Sequence, residues 1–299
     1  MSAHPAPIGS SVGTTLAPRA GANRVHWAAR GREMPLYVFL AVVLALTLLP
    51  FLWVILSSLN TNKGIFNGQI LPTSLQWGNY SRAWHVGNLQ QYVGNSAIVA
   101  IATVALTLIA CCPAGYAFGR MRFAGNNLIF YLYLFGLTVP FQAVLIPVFY
   151  QLKSLGLIDN LLGIVLVQVG TGVPFGAFLM RNFFRSLPTE IADAARIDGA
   201  GEIGVFLRVM LPLAKPATLA LVIFSFMGSW NDYLLPLIAL QSDAKRTLPT
   251  GLVRYSTQYS TDYSLVFAAT VISFIPTVAL YLVFQRQFIE GVNTGATKG

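Results

Sequence analysis

Charged residues are scarce in this chain. Asp, Glu, Lys and Arg together account for 10% of its 299 residues, whereas about 25% is usual for a soluble globular domain. So little charge cannot cover a globular surface, and an apolar content of 55% excludes a disordered or collagen-like chain. Because the apolar residues stand in long uninterrupted runs, the composition indicates an integral membrane protein.

Cysteine and histidine are also few, with two and three copies. Cys111 and Cys112 are adjacent within an apolar run, so we expect them to pack as small hydrophobic side chains rather than to form a disulfide. His4, His26 and His85 have no second metal ligand at a suitable spacing. The sequence therefore predicts neither a disulfide framework nor a metal site.

Six apolar runs are long enough to cross a bilayer, which takes about 20 residues. The predicted spans are Pro35–Leu59, Tyr92–Phe118, Leu128–Tyr150, Leu161–Met180, Ala217–Leu240 and Leu265–Phe284. A basic segment before the first run is typical of a signal peptide. This run, however, is too long for one and lacks a clear cleavage site of small residues, so we expect a retained helix.

Lys and Arg are distributed unevenly between the connections. About two thirds of the 19 fall on one side if the N-terminus is cytoplasmic, which predicts that both termini are cytoplasmic. The same asymmetry accounts for the net charge of +9 without a nucleic-acid partner. We expect a disordered cytoplasmic tail at 1–33, a first span at 34–59, an extracytoplasmic loop at 60–91, a five-helix core at 92–285 and a cytoplasmic tail at 286–299.

One ionisable residue, Asp232, falls within the predicted spans. Ion-coupled carriers and voltage sensors need several such residues in the bilayer, so both classes are disfavoured. Uncharged polar residues also occur there: Asn95, Ser96, Gln142, Gln168 and Asn231. They either bond neighbouring helices or line a path for a neutral, hydroxyl-rich solute, with Asn231 and Asp232 as the candidate pathway residues. Two small-residue motifs, Gly115-x-x-x-Gly119 and Gly172-x-x-x-Gly176, allow close helix approach.

The connection between the fourth and fifth spans has the signals of a helix–turn–helix. Pro188 suits a first helical turn, and Gly199 can end the helix. A second helix is expected near Glu202, with Ile203, Phe206 and Met210 on one apolar face.

Nucleotide-binding motifs are either absent or out of context. The GxGxxG pattern at 199–204 follows a helix rather than a strand, and the sequence contains no Gly-Lys dipeptide for a phosphate-binding loop. Any ATP chemistry must therefore come from a partner.

The segment Asp193–Gly199, DAARIDG, resembles the EAA loop of bacterial ABC-importer permeases, with Asp in place of Glu at position 193. The segments 226–236, 247–252 and 285–299 are similar to those of the MalG-like permeases of carbohydrate importers. The resemblance covers nearly the whole chain after residue 34. It implies an all-α integral membrane fold of the type I (MetI-like) importer class, with six transmembrane helices and a cytoplasmic coupling helix–turn–helix at 186–216.

The resemblance also implies a function and a set of partners. The chain would form half of a carbohydrate pathway in the bacterial cell membrane, beside a second permease, by alternating access. Two ABC ATPase subunits would bind ATP and Mg, an extracytoplasmic solute-binding protein would deliver the solute, and this chain would bind no cofactor. A polyol or sugar-phosphate permease, a membrane-embedded enzyme and an ion-coupled carrier are the alternatives.

Two groups of contact residues follow from the resemblance. The expected ATPase contacts are Glu190, Asp193, Ala194, Ala195, Asp198 and Gly199. In the loop 242–263, Arg254, Tyr255 and Tyr259 are candidates for docking the binding protein, because aromatic residues and Arg are enriched in interfaces. An aromatic belt at the membrane surface is the alternative explanation for the tyrosines.

Overall fold

The computed structural model describes residues 24–86, 88–258 and 262–296, which are helical and contain no strand. In chain order the helices are α1 (Arg24–Ser58), α2 (Asn62–Phe66), α3 (Gly78–Val86), α4 (Leu89–Arg120), α5 (Asn126–Phe135), α6 (Phe141–Ser154), α7 (Leu161–Ser186), α8 (Thr189–Ile197), α9 (Glu202–Val205), α10 (Leu211–Leu213), α11 (Lys215–Trp230), α12 (Leu234–Ala239), α13 (Leu248–Gln258) and α14 (Tyr263–Ala296). Short 3₁₀ helices at Gly136–Thr138 and Asp243–Lys245 and a π-helix at Phe206–Met210 complete the elements.

The chain divides into two units, residues 1–52 and 53–299. The described part of the first unit is the apolar helix α1 up to Leu52. This helix begins at Arg24 rather than at the expected position 34, because the Arg, Ala and Glu residues that precede the span are good helix formers. The rest of the expected tail, residues 1–23, lies outside the described residues.

Among the residues that the structure describes, four helical stretches are long and apolar enough to cross a membrane, and the number rises to as many as six if each of two bent helix pairs is counted as one span. The four are Met34–Ser58, Leu89–Arg120, Leu161–Ser186 and Tyr263–Phe284. One pair, Asn126–Thr138 with Phe141–Ser154, is bent by 98°, and the other, Glu202–Leu213 with Lys215–Trp230, is bent by 75°. Four of the six predicted spans thus coincide with continuous helices, and the third coincides with the pair bent by 98°. The fifth coincides with the second helix of the other pair, Lys215–Trp230, and the segment after it.

The third and fifth predicted spans are not continuous. The third is interrupted at Pro140, which cannot donate a backbone hydrogen bond and disfavours helix at the residue before it. The fifth ends at Trp230 rather than at Leu240. The next helix, α12, begins separately, and Asp232 Oδ1 accepts from the backbone N–H of Leu235 at 3.4 Å. Asp232 thus bonds to the backbone at the start of α12, and the apolar run that appears continuous by hydropathy consists of two separate helices.

The core of the second unit is the contact between α4 and α7. A Cβ atom on Gly115 would lie 2.3 Å from Met180 Cβ, and one on Gly176 would lie 2.4 Å from Cys111 Sγ. The two helices therefore approach so closely that only glycine fits at these positions. Both cysteines are buried and free, which confirms that they pack as small core residues. A Cβ atom on Gly172, by contrast, would have nothing within 4 Å.

The contacts fix the helix directions. Thr103 bonds to Gln168, and Cys111 meets Gly176, so α4 and α7 run parallel. Ser229 also bonds to Gln168, while Leu221 lies near Gly176, so α11 runs in the opposite direction. The helices therefore have two common ends. We call them the α8 end, where α4 and α7 finish, and the α13 end, where they begin.

The α4–α7 contact gives a stability prediction for a matched pair of substitutions on α7. Gly176→Ala adds a methyl group that collides with Cys111, and such overpacking costs about 1–3 kcal/mol. Gly170→Ala adds the same group where nothing lies within 4 Å. We expect a lower thermal unfolding midpoint in detergent for Gly176→Ala only. Equal midpoints for the two variants would show that the close approach is not a packing constraint.

Candidate functional site

The segment between α7 and α11 forms the helix–turn–helix that the sequence predicted. Helix α8 ends at Asp198, and Gly199 follows with φ of +87°, a left-handed conformation that favours glycine. The N–H of Gly199 donates to the carbonyl of Arg196, and the N–H of Ala200 to that of Ala195, both at 3.0 Å. This is a Schellman motif, and it turns the chain sharply into α9, which begins at Glu202 as expected.

An ionic cluster joins α8, α9 and α4. Arg196 Nη1 donates to Asp193 Oδ1, and Arg196 Nε donates to Glu202 Oε1, both at 2.7 Å. The hydroxyl of the buried Tyr116 on α4 donates to Glu202 Oε2 at 3.0 Å. The bond to Glu202 raises the pKa of Arg196 above its ordinary value. The guanidinium therefore stays charged at neutral pH, and the cluster persists.

Apolar side chains also pack where the helix–turn–helix meets α4 and α7. The ring of Tyr116 lies 5.1 Å from that of Phe206 and 5.6 Å from that of Phe184. Val205 and Met210 are fully buried, and Arg120 at the end of α4 donates to the carbonyl of Leu187 just before α8. The helix–turn–helix is therefore packed directly on α4 and α7.

Most of the expected ATPase contacts are on the surface. Glu190, Asp193, Ala194, Asp198 and Gly199 are exposed, and Ala195 is half-buried against the core. The Asp193 carboxylate, however, is engaged by Arg196, so part of its role is internal. These assignments stay predictions.

Two exposed isoleucines extend the surface of the turn. Ile197 is 86% exposed and Ile203 is 76% exposed, although Ile203 was predicted to share one apolar face with Phe206 and Met210. That expectation was wrong because the π-helix Phe206–Met210 changes the helical phase, so residues before it and after it no longer share one face. Exposed apolar side chains of this size beside charged residues are typical of a protein contact surface.

A second polar region lies deeper in the bundle. A cavity of about 260 Å³ is bounded by α4, α7 and α11. Its polar lining includes Thr103, Gln168, Ser229 and Asp232, and its aromatic lining is Phe141, Phe175 and Phe224. Gln168 Oε1 accepts from Thr103 Oγ1 at 2.9 Å and from Ser229 Oγ at 2.7 Å. Gln168 Nε2 donates to Asp232 Oδ2 at 2.9 Å, so this one amide organises the polar wall.

The two candidate pathway residues are separated by the structure. Asp232 lines the cavity, and no Lys or Arg among the described residues forms an ion pair with it. Asn231 is exposed, and its amide donates to the carbonyl of Met227 one turn earlier, at 2.9 Å. Asp232 therefore lies on the cavity and Asn231 does not, and the pathway role of both stays a prediction.

Asn95 and Ser96 serve the loop before α13 rather than the cavity. Asn95 Nδ2 donates to the carbonyls of Ala244 and Arg246, both at 2.9 Å, and Ser96 Oγ accepts from the N–H of Leu248 at 2.8 Å. These bonds position α13, which carries Arg254 and Tyr255. The side chains of these two residues and all of Tyr259 lie outside the described residues.

Asp159, just before α7, also holds the loop between α12 and α13. Its carboxylate accepts from the backbone N–H groups of Gln241 and Ser242, each at 3.0 Å. The bond from Ser242 lowers the pKa of Asp159, so the carboxylate remains ionised and keeps the α13 end of α7 tied to the segment that follows α12.

Several residues of the two regions were not found by sequence reasoning. Tyr116, Arg196 and Glu202 form the cluster but are far apart in the chain or ordinary in type. Thr103 and Ser229 are small hydroxyl residues within apolar runs, where they are common for reasons of helix packing. Gln168, an amide, and Asp232, a carboxylate, were the two cavity residues that the sequence did indicate, because both are polar within apolar runs.

The comparisons with known proteins agree on one family. Residues 111–293 match the family described as "Binding-protein-dependent transport system inner membrane component". Diacetylchitobiose uptake system permease protein NgcG of Streptomyces coelicolor is 38% identical over 84% of this chain and 84% of its own length. Arabinooligosaccharides transport system permease protein AraQ of Bacillus subtilis is 33% identical over 89% of this chain and 96% of its own.

Two further relatives extend the comparison. Lactose transport system permease protein LacG of Rhizobium radiobacter is 30% identical over 86% of this chain and 93% of its own length. Among solved structures, a chain of a bacterial ABC transporter involved in the import of the acidic polysaccharide alginate superposes with a TM-score of 0.75. It is 25% identical, and the match covers 91% of this chain and 99% of that chain.

The ionic cluster gives a prediction about the stability of α8. Arg196→Gln removes both ion pairs, and because these groups are partly exposed we expect a loss of ~1 kcal/mol. Amide hydrogen exchange in α8 should then be about fivefold faster, as measured by mass spectrometry. Arg208→Gln is the control, since Arg208 is exposed and forms no ion pair among the described residues. The same acceleration in both variants would contradict the anchoring role of Arg196.

Proposed function

The chain belongs to the family of binding-protein-dependent transport system inner membrane components, and from this membership we propose that it imports neutral carbohydrate as the permease subunit of an ABC importer. It is a multi-pass inner-membrane protein and a transport component rather than a catalyst. The observation that carries the proposal is the cavity between α4, α7 and α11, where hydroxyl and amide groups face phenylalanine rings. Apolar walls with a few convergent polar groups are typical of small-molecule sites.

The charge of the cavity favours a neutral solute over a sugar phosphate. Asp232 contributes a carboxylate to its wall, and the lining contains no Lys, Arg or His. A phosphate ester would meet this carboxylate without a compensating cation, which is unfavourable at short range. Relatives named for diacetylchitobiose, arabino-oligosaccharide and lactose transport support an uncharged saccharide. A polyol is the second candidate, because its hydroxyl groups suit the same donors and acceptors.

The ATPase contact belongs to the helix–turn–helix at the α8 end. Its exposed tip combines apolar side chains, Ile197 and Ile203, with acidic Glu190 and Asp198, while the ionic cluster and Tyr116 tie it to α4. Two ATPase subunits would supply the bound ATP and Mg, and this chain would bind neither. The excess of Lys and Arg towards this end supports a cytoplasmic location for it and for both termini.

Transport would follow from a two-state equilibrium. ATP would favour the closed ATPase dimer. The closed dimer would shift the permease from one conformation to the other only if it binds the second conformation more tightly than the first. Because the helix–turn–helix is fixed to α4 and α7, its displacement would change the access to the cavity. A sister permease would complete the pathway. The solute-binding protein would dock at the α13 end, where Arg254, Tyr255 and Tyr259 are the candidate contacts.

A pair of glycine substitutions tests the coupling role of the turn. Gly199→Val forces a β-branched residue into the left-handed conformation, which costs ~1–2 kcal/mol and distorts the tip. Gly201→Val is the control, because Gly201 has an ordinary φ of −69° and nothing within 4 Å of its added Cβ. In proteoliposomes with the complete importer we expect about tenfold less solute moved per ATP for Gly199→Val. Equal coupling in the two variants would contradict the assignment.

A second pair tests the pathway. Gln168→Leu leaves the hydroxyls of Thr103 and Ser229 and the Asp232 carboxylate without their shared partner, a loss of about 1–3 kcal/mol. We expect the KM for uptake of a neutral disaccharide to rise about tenfold, and Asn231→Leu, outside the cavity, to leave it unchanged. An unchanged KM for Gln168→Leu would remove this cavity from the pathway. Faster wild-type uptake of the phosphate ester than of the disaccharide would contradict the neutral-solute proposal.

A further inference from the structure

A larger cavity opens at the α8 end, where α4 and α7 finish. It has a volume of about 630 Å³ and lies between the end of α4, the start of α5 and the end of α7. Its polar side chains are those of Arg122, Asn126, Asn127, Arg181 and Arg185, and none of its lining residues is acidic. Three positive charges therefore converge on one cavity without a negative charge in its wall.

Arg181 is the most constrained of the three arginines. Only 7% of its surface is exposed, and its guanidinium carbon lies 3.8 Å from the centroid of the Phe130 ring. Its Nε donates to the carbonyl of Phe118 at 3.2 Å, and its Nη2 donates to Asn127 Oδ1 at 3.3 Å. All of these partners are neutral, so the buried charge is held in place but not compensated.

The described part of the chain supplies no counter-ion to these arginines. Within residues 24–86, 88–258 and 262–296, Arg122, Arg181 and Arg185 form no ion pair. Helix α5 begins at the cavity with Asn126, directly after Gly125 with φ of +82°. The start of a helix carries a partial positive charge, which adds to that of the arginines. The cavity is therefore built to receive an anion.

The cavity continues into an apolar surface on α5. Tyr131 and Phe135 follow Asn127 of the cavity wall at four-residue spacing, so the three lie along one side of the helix. Tyr131 and Phe135 are 62% and 68% exposed. The cavity itself lies where α4 and α7 end, at the level where a spanning helix meets the headgroups. Basic pockets between transmembrane helices at this level suit phosphate-bearing lipid headgroups.

We propose that this cavity binds the phosphate headgroup of an anionic phospholipid, with the acyl chains lying along α5. Arg122 and Arg185 are exposed at the rim and pair with the phosphate, while Arg181 fixes the floor of the cavity. The continuity of the basic cavity with the apolar side chains of α5 is what favours a lipid over a free phosphate ion or a protein partner. The inference does not depend on which solute the chain transports.

Lipid binding to the purified protein tests the proposal. The full chain, with the subunits that co-purify with it, is delipidated and titrated with phosphatidylglycerol or phosphatidylcholine, and bound lipid is counted by native mass spectrometry. Arg122→Gln/Arg185→Gln should weaken phosphatidylglycerol binding about 30-fold, since each arginine near a lipid surface contributes about fivefold. Arg181 is left intact to preserve the packing of α5.

The matched control is Arg208→Gln/Lys215→Gln, which removes two exposed charges from the same end outside the cavity. It should bind phosphatidylglycerol as the wild type does. An equal loss of phosphatidylglycerol binding in both double variants would show unspecific attraction to surface charge and would overturn the proposal. Equal binding of phosphatidylglycerol and phosphatidylcholine by the wild type would also overturn it. Because these wild-type measurements need no variant, a folding defect does not leave the question open.

Two further outcomes identify another occupant. If inorganic phosphate displaces phosphatidylglycerol from the wild type, the cavity is a site for a free anion and the lipid proposal is wrong. If Arg122→Gln/Arg185→Gln releases the co-purified subunits while phosphatidylglycerol binding is unchanged, the cavity is a protein contact surface and the proposal is equally wrong. Neither of these outcomes would change the expected carbohydrate uptake, so the lipid proposal and the import proposal are tested separately.

Discussion

The close contact of α4 with α7 is the constraint on which the rest of the structure depends. Gly115 and Gly176 let the two backbones meet, and this fixes the positions of Tyr116, Thr103 and Gln168 along them. Tyr116 then holds the helix–turn–helix through Glu202, and Gln168 organises the polar cavity. One packed helix pair thus supports both the helix–turn–helix and the wall of the polar cavity.

Hydropathy predicted the number of spans but not their shape. Six apolar runs were found because length and composition determine whether a segment enters the bilayer. The breaks at Pro140 and after Trp230 could not be located in the same way, because a break depends on where the freed backbone groups find partners. The presence of a proline does not by itself predict a break, since Pro113 and Pro174 lie within continuous helices.

The helix–turn–helix was predicted more fully than the cavity, for a local reason. Gly199 ends α8 through its own conformation, and Glu202 begins α9 nearby, so short-range signals sufficed. The cavity unites Thr103 of α4, Gln168 of α7 and Asp232 of the segment between α11 and α12, and no sequence spacing relates them. Asn95 and Ser96 resembled pathway residues by depth alone, yet they bond the loop before α13.

The π-helix at Phe206–Met210 has a consequence for how this segment tolerates changes of length. A π-turn contains one residue more than the α-helix it interrupts, so deleting a single residue there would restore regular helix without a chain break. Because the wider turn takes up the extra residue, this deletion would leave Glu202 and Leu211 in nearly their present orientation, whereas a deletion in the α-helical part of the segment would rotate Ile203 by about 100°. The π-turn is thus the place where this segment can lose one residue and keep the direction in which its tip points.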